Sequence, residues 1–290
     1  MIISISRRTD IPAFYADWLF HRFAEGFALA RNPMNPNHTR RISLLPEDVD
    51  GIVFWTKNPA PMMPRLNELA QYRYYFQFTL TGYGPEIEPA FADKTALVDT
   101  FRRLSDAIGS ERVQWRYDPI LINPSYSLER HAELFGRLAH KLEGCTKRCT
   151  ISFIDDYKNT AANAGALQLA PMGSDMKTGI AAMLAPIVGE RGMAMMTCAE
   201  DIDLAALGIG HGRCVDARLF NSLWGMNLKT GKDRNQRPAC GCAPSVDIGM
   251  YNTCPGGCLY CYANYNPAVI GRNREAHDMA APVLVEKPKL

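Results

Sequence analysis

Tyr74-Tyr-Phe-Gln-Phe-Thr-Leu-Thr81, then Asp93 to Ile108, then Val113-Gln-Trp-Arg-Tyr117, is the stretch that decides the fold. The outer two segments are short, aromatic and β-rich. The middle one puts Leu97, Phe101, Leu104 and Ile108 on one apolar face and stops at Gly109, as a helix does. Strand, helix and strand in that order make a parallel pair joined by a crossover. The unit recurs outward: Ile2–Ser6, Ile52–Thr56, Thr150–Ile154 and Met193–Cys198 read as further strands. Phe14–Glu25, a helix opened by the N-cap Ser127, and Ser174–Val188 read as further helices, with Pro186 weakening the end of the last. This repetition predicts an α/β fold, a partial or full β/α (TIM-like) barrel rather than a doubly wound sheet. Lys229–Pro244 is charged and then rich in cysteine and proline, and Asn264–Leu290 reads as an irregular tail. Residues 1–290 are expected to form one barrel domain, with 225–290 a cysteine-rich C-terminal segment packed on it.

A chain of 290 residues can bury a core without staples. Hydrophobic content of 47% and charged content of 21% exclude a disordered or fibrous chain. Lys and Arg total 32 against 30 acids, a net charge of +2, which argues against nucleic acid as a partner. No apolar run is long enough for a membrane span, and Met1-Ile-Ile-Ser-Ile-Ser-Arg-Arg lacks the order of a signal peptide, so a cytoplasmic location is expected. Walker, Gly-x-Ser-x-Gly and His-Glu-x-x-His motifs are missing, which leaves hydrolase and kinase chemistry little to stand on.

In parallel β/α folds the chemistry sits at the C-terminal strand ends. Here those ends read Ser6-Arg7-Arg8-Thr9-Asp10, Trp55-Thr56-Lys57-Asn58, Thr79-Leu80-Thr81-Gly82-Tyr83, Arg116-Tyr117-Asp118-Pro119 and Ile154-Asp155-Asp156-Tyr157. Polar groups at every strand mouth fit an occupied polar cavity; the alternative is an ion-pair network that closes the top. Tyr83, Tyr117, Asp118 and Tyr157 are candidates for the substrate side. Of the adjacent Arg7 and Arg8, at most one is expected to face the cavity.

Nine cysteines, an odd number, argue against a disulfide framework. Five of them crowd between residues 240 and 261, and Cys254-Pro-Gly-Gly-Cys258-Leu-Tyr-Cys261 is the sharpest motif in the chain. Three thiolates on a loop that Pro255-Gly256-Gly257 can fold tightly could converge on one metal centre. Structural zinc is one reading, although zinc prefers paired C-x2-C units and four ligands. A [4Fe–4S] cluster is the other, and three cysteines would leave one iron open.

C-x3-C-x2-C with an aromatic, here Tyr260, before the last cysteine resembles the cluster loop of the radical S-adenosylmethionine (SAM) enzymes. That resemblance implies that Cys254, Cys258 and Cys261 hold a [4Fe–4S] cluster. It implies too that SAM binds the open iron and is cleaved reductively to a 5′-deoxyadenosyl radical that acts on a substrate. In those enzymes the loop follows the first barrel strand, whereas here it lies near the end, so the resemblance implies a circular permutation. Val246-Asp247-Ile248-Gly249-Met250 would be the first strand, paired beside Ile2–Ser6. In permuted order Thr9-Asp10-Ile11-Pro12, Thr56-Lys57, Thr79 with Glu88-Pro89, and Arg116-Tyr117-Asp118-Pro119-Ile120 resemble motifs of the spore photoproduct lyase branch. Ser6-Arg-Arg-Thr-Asp10, Phe54-Trp-Thr-Lys-Asn-Pro59, Trp115-Arg-Tyr-Asp-Pro119, Asp247-Ile-Gly and Cys261-Tyr-Ala-Asn264 resemble the family called domain of unknown function 1848 over nearly the whole chain.

By this resemblance Lys57 approaches the SAM carboxylate, Thr79 and Arg116 its amino-acid or ribose part, and Asp10 and Arg7 its amine; an ion pair of Lys57 with Asp10 or Asp118 is the alternative. Implied partners are a small-molecule or peptide substrate and a low-potential electron donor. Cys198, Cys214, Cys240 and Cys242 could bind a second [4Fe–4S] cluster or zinc, or be small buried hydrophobes. Cys145 and Cys149 read as structural. Two further classes stay open: a zinc-stabilised binding protein without catalysis, and an iron–sulfur electron carrier.

Overall fold

The computed structural model describes residues 1–155 and 163–286. Along the chain run β1 (Ile2–Ile5), α1 (Ile11–Phe14), α2 (Ala16–Glu25), β2 (Phe27–Asn32), β3 (Asn35–Ser43), β4 (Gly51–Thr56) and β5 (Tyr74–Thr79). There follow α3 (Lys94–Ile108), β6 (Val113–Ile120), α4 (Leu128–Lys141), β7 (Arg148–Phe153), α5 (Ala164–Leu167) and α6 (Ser174–Gly189). The chain continues through β8 (Ala194–Thr197), β9 (Gly210–His211), α7 (Ala217–Trp224), β10 (Val246–Asp247) and α8 (Pro267–Glu275). Eight strands form one sheet in the order β10-β1-β4-β5-β6-β7-β8-β9. Every neighbouring pair is parallel.

The strands are apolar almost throughout because both faces of the sheet are covered. Side chains alternate between two layers. Ile3, Ile5, Ile52, Phe54, Phe76 and Phe78 enter the larger layer, against Phe101 and Leu104 of α3 and Phe135 and Leu138 of α4. The residues between them, Ile2, Val53 and Tyr75, enter a smaller layer closed by Val215, Leu219 and Phe220. Gly51 makes this second layer possible, since a Cβ there would stand 2.3 Å from the Phe220 ring. Helix starts follow the side chains that satisfy free backbone donors: Asp93 accepts from Ala96 N at 2.9 Å and Ser127 from Arg130 N at 3.3 Å.

The β/α alternation is present, and the architecture is a mixed α/β fold with a parallel eight-stranded sheet. The ladder runs from β10 at one edge to β9 at the other, and among the described residues no pairing joins those two, so the sheet carries no ladder that closes a barrel. β10 lies parallel to β1, with Ile3 opposite Val246 and Ser4 opposite Asp247, the neighbour relation expected of residues 246–250. Two expectations need correction, the helix Phe14–Glu25 and the irregular tail. The helix read at Phe14–Glu25 is two, broken at Tyr15, whose hydroxyl donates to Thr253 O at 2.5 Å. Phe27–Ser43 is an antiparallel hairpin of β2 and β3, outside the alternation. α6 runs from Ser174 to Gly189 with Pro186 inside its last turn, as the reading of Ser174–Val188 expected. The irregular tail contains α8, opened by Asn266, which accepts from Val269 N at 3.1 Å, with Pro267 in its first turn. Beyond α8 the chain packs on α2 and β2: Trp18 Nε1 donates to Ala281 O at 2.9 Å and Leu29 N to Pro282 O at 2.7 Å.

Candidate functional site

The C-terminal ends of the strands open into a cavity of about 680 Å³. Ser6–Asp10 after β1, Thr56 and Lys57 after β4, Thr79 of β5, Arg116 and Asp118 of β6, and Cys198 after β8 all line it. The cysteine loop closes one side with Cys254, Cys258, Tyr260 and Cys261; Cys214, Cys240 and Cys242 line the cavity too. The residues expected to hold a metal or cofactor (Arg7, Asp10, Lys57, Thr79, Arg116, Tyr260 and the seven cysteines) thus line one space. Both Arg7 and Arg8 line it, against the expectation of one. They diverge: the Arg7 guanidinium lies 5.8 Å from the Trp55 ring and that of Arg8 5.5 Å from the Tyr251 ring. Tyr83 and Tyr117 do not reach the cavity. They are fully buried and donate to or pair with Pro119 O at 2.8 Å and His131 Nδ1 at 2.9 Å, so their rings fill the core. Asp156 and Tyr157 lie outside the described residues.

Asn264 shapes the cysteine loop. Its Oδ1 accepts from Thr253 N and Cys254 N, both at 2.9 Å, and its Nδ2 donates to Arg8 O at 2.8 Å and to Cys261 Sγ at 3.7 Å. One side chain therefore ties the two ends of the loop to each other and to the turn after β1. Gly257 has φ of +69°, and a Cβ at Gly256 would meet the Phe91 ring at 2.7 Å, so glycine is needed at both positions.

Beneath the loop sits Glu88, which is 1% exposed. It accepts from Lys57 Nζ at 2.8 Å, Lys94 Nζ at 2.6 Å and Thr81 Oγ1 at 2.7 Å, and also from the Tyr260 hydroxyl. Burial alone would raise its pKa, yet the two ammonium groups hold it at about 2, an ionised carboxylate. Burial opposes the charge on Lys57, but Glu88 and Cys258 outweigh it and raise its pKa. The ion-pair partner of Lys57 is thus Glu88, not Asp10 or Asp118. Asp10 caps α1 and accepts from Lys57 N at 2.7 Å; burial pushes its pKa up to about 6. Burial also pushes the Cys254 thiol up to about 12 and Cys258 well above its ordinary value.

Asp247 joins the new edge of the sheet to the site. It accepts from Ser4 Oγ at 2.7 Å, Ser6 Oγ at 2.5 Å and Arg7 N at 2.9 Å. Arg116 turns away from the loop, paired with Asp118 and donating to Cys214 Sγ. Sequence reading quoted Glu88, Asp247 and Asn264 within motifs but gave none of them a task. The available signal was an acid or amide inside an otherwise apolar or cysteine-bearing run. Among the described residues, no three His, Cys, Asp or Glu side chains already stand in an arrangement that could hold a metal ion.

The fold and site define an α/β protein with a parallel sheet and a polar, thiol-lined cavity at its strand ends. The chain belongs to the family described as domain of unknown function (DUF1848), whose sequence model matches residues 2–263. No curated protein matches the chain. Among solved structures it is similar to a "putative alpha-L-fucosidase" from Bacteroides thetaiotaomicron VPI-5482, at 11% identity and a TM-score of 0.27, over 55% of this chain and 67% of that one. No helix among the described residues is long and apolar enough to cross a membrane.

Proposed function

We propose that this protein is a radical SAM enzyme whose cavity takes SAM and a small-molecule or peptide substrate. The observation that carries the reading is the seating of Cys254, Cys258 and Cys261 on one glycine-bearing loop over the strand ends, directly after β10, the strand beside β1. On this reading the sheet is a partial, open β/α barrel whose first strand comes from the C-terminal segment. The residues fit a cluster. Three soft donors share one loop, Gly256 and Gly257 let the backbone pass close to Phe91 and Pro89, and Lys57 supplies positive charge beside Cys258. Three protein thiolates leave a fourth iron for an outside ligand.

Held by Cys254, Cys258 and Cys261, the group would supply one-electron reduction of the SAM sulfonium, breaking its carbon–sulfur bond with methionine as the leaving group. The chain's own residues hold and orient. Lys57, fixed by Glu88, presents an ammonium to a carboxylate. Asp10 and Arg7, on the turn after β1, offer an acceptor and a cation for the amine and carboxylate ends of an amino acid, and Thr79 lines the same wall. Tyr260, held by Glu88, closes the cavity next to the last cysteine. A volume of about 680 Å³ lies within the range of cofactor pockets. The reading also requires a low-potential electron donor.

Electron paramagnetic resonance of anaerobically purified, dithionite-reduced protein tests this. A reduced-cluster signal that changes on adding SAM and disappears in Cys258→Ala is expected. A cluster signal indifferent to SAM, or zinc without iron in the native protein, would overturn the reading.

A further inference from the structure

The fold brings a second group of thiols to the same cavity. Cys198 follows β8, Cys214 lies between β9 and α7, and Cys240 and Cys242 come from the segment before β10. Cys198 Sγ is 3.1 Å from Cys214 Sγ, Cys242 Sγ accepts from the backbone N of Val215, the neighbour of Cys214, at 3.4 Å, and Cys240 lines the same cavity. Four thiols from three separate stretches therefore line one cavity.

The backbone is built to keep them there. Cys214 O accepts from the Tyr75 hydroxyl at 2.7 Å and from Gln77 Nε2 at 2.9 Å, both on β5. Ala243 N donates to Val215 O at 2.9 Å and Val215 N to Cys242 Sγ at 3.4 Å, which docks the third stretch on the second. Gly241 separates the last two cysteines where a Cβ would approach the Arg213 side chain at 3.2 Å. Two cations share the cavity with the sulfurs: Arg116 donates to Cys214 Sγ, and Arg7 lines the same space.

We infer that Cys198, Cys214, Cys240 and Cys242 form a mononuclear four-thiolate site for zinc. Zinc–sulfur bonds of about 2.3 Å put the sulfurs of a tetrahedron about 3.8 Å apart. Spreading Cys198 and Cys214 from 3.1 Å to that separation is a sub-ångström adjustment. A cubane, with one thiolate on each corner, would instead drive all four sulfurs apart by the width of a cluster. On binding, the thiol protons leave to solvent, and two of the four negative charges are cancelled by the ion. Arg116 and Arg7, each also facing a carboxylate (Asp118 and Asp247), offset part of the remainder. The site stands independently of the cluster loop and fixes part of the cavity wall.

The test uses the full chain carrying Cys254→Ala, Cys258→Ala and Cys261→Ala, so that failure of the loop reading cannot affect it. One zinc per chain is expected, with no sulfide. Cobalt(II) added to the zinc-stripped protein should give the visible bands of a tetrahedral thiolate complex, saturating at one equivalent. Adding Cys242→Ser should weaken cobalt binding at least tenfold; if that variant fails to fold, the cobalt titration of its parent decides alone. Neither zinc nor cobalt bound, iron accompanied by sulfide, or cobalt bands that survive Cys242→Ser in folded protein would each overturn the inference.

Discussion

Replacing Glu88 by Gln keeps the shape of a side chain that is 1% exposed and removes its charge. Lys57 and Lys94, at 2.8 and 2.6 Å, then share a buried space with no counter-ion. Holding this carboxyl at about 2 instead of 4.5 corresponds to about 3 kcal/mol, at about 1.4 kcal/mol per pH unit. Removing one member of a buried ion pair costs about 3–5 kcal/mol, so the two routes agree. Urea unfolding of Glu88→Gln at pH 7, followed by far-ultraviolet circular dichroism, should show a loss of about 3 kcal/mol with an unchanged slope. In a double-mutant cycle, Lys57→Met should relieve part of that loss, with a coupling of about 1–3 kcal/mol. A loss below about 1 kcal/mol, or strict additivity with Lys57→Met, would refute the claim that Glu88 holds the floor of the site by charge.

Gly51→Ala drives a Cβ to 2.3 Å from the Phe220 ring and should cost about 1–3 kcal/mol of unfolding free energy, with Phe220→Leu restoring part of it; a neutral effect would deny the close approach of α7. Asn264→Ala orphans the backbone donors of Thr253 and Cys254, so a local cost of about 1–3 kcal/mol and faster amide exchange over residues 252–262 are expected. Burial holds the pKa of His131 below 6.5, its imidazole lying between the Tyr117 hydroxyl and Leu121 O. The unfolded state therefore binds more protons below pH 6.5, and stability should fall as pH drops from 7 through 6.5 toward the folded value. His131→Gln should flatten that slope, measured as urea midpoints at several pH values; parallel slopes would contradict the assignment.

The parts of the fold that could be read beforehand are those where local pattern and tertiary demand coincide. β5, α3 and β6 carry β-rich aromatics, a one-faced apolar helix, a capping Asp93 and a stopping Gly109, each of which acts locally. The β2–β3 hairpin escaped because Phe27–Ser43 holds prolines, asparagines and four arginine or histidine side chains where strands usually show alternation. α8 escaped because it starts at a proline and has little apolar face. The cysteine loop was legible since its spacing is itself the constraint. Glu88 was not, because its task depends on Lys57, Lys94, Thr81 and Tyr260 meeting from four separate stretches, which only the folded chain brings together. Likewise Tyr83 and Tyr117 sit at strand ends by sequence position, but the register turns both rings into the core.

Chromatography with mass spectrometry of reaction mixtures containing reconstituted, dithionite-reduced protein and SAM tests the central claim most directly. The account predicts 5′-deoxyadenosine and methionine from the native chain, and none from Cys254→Ala, Cys258→Ala or Cys261→Ala. SAM recovered intact from a protein that carries its full complement of iron and sulfide would contradict it.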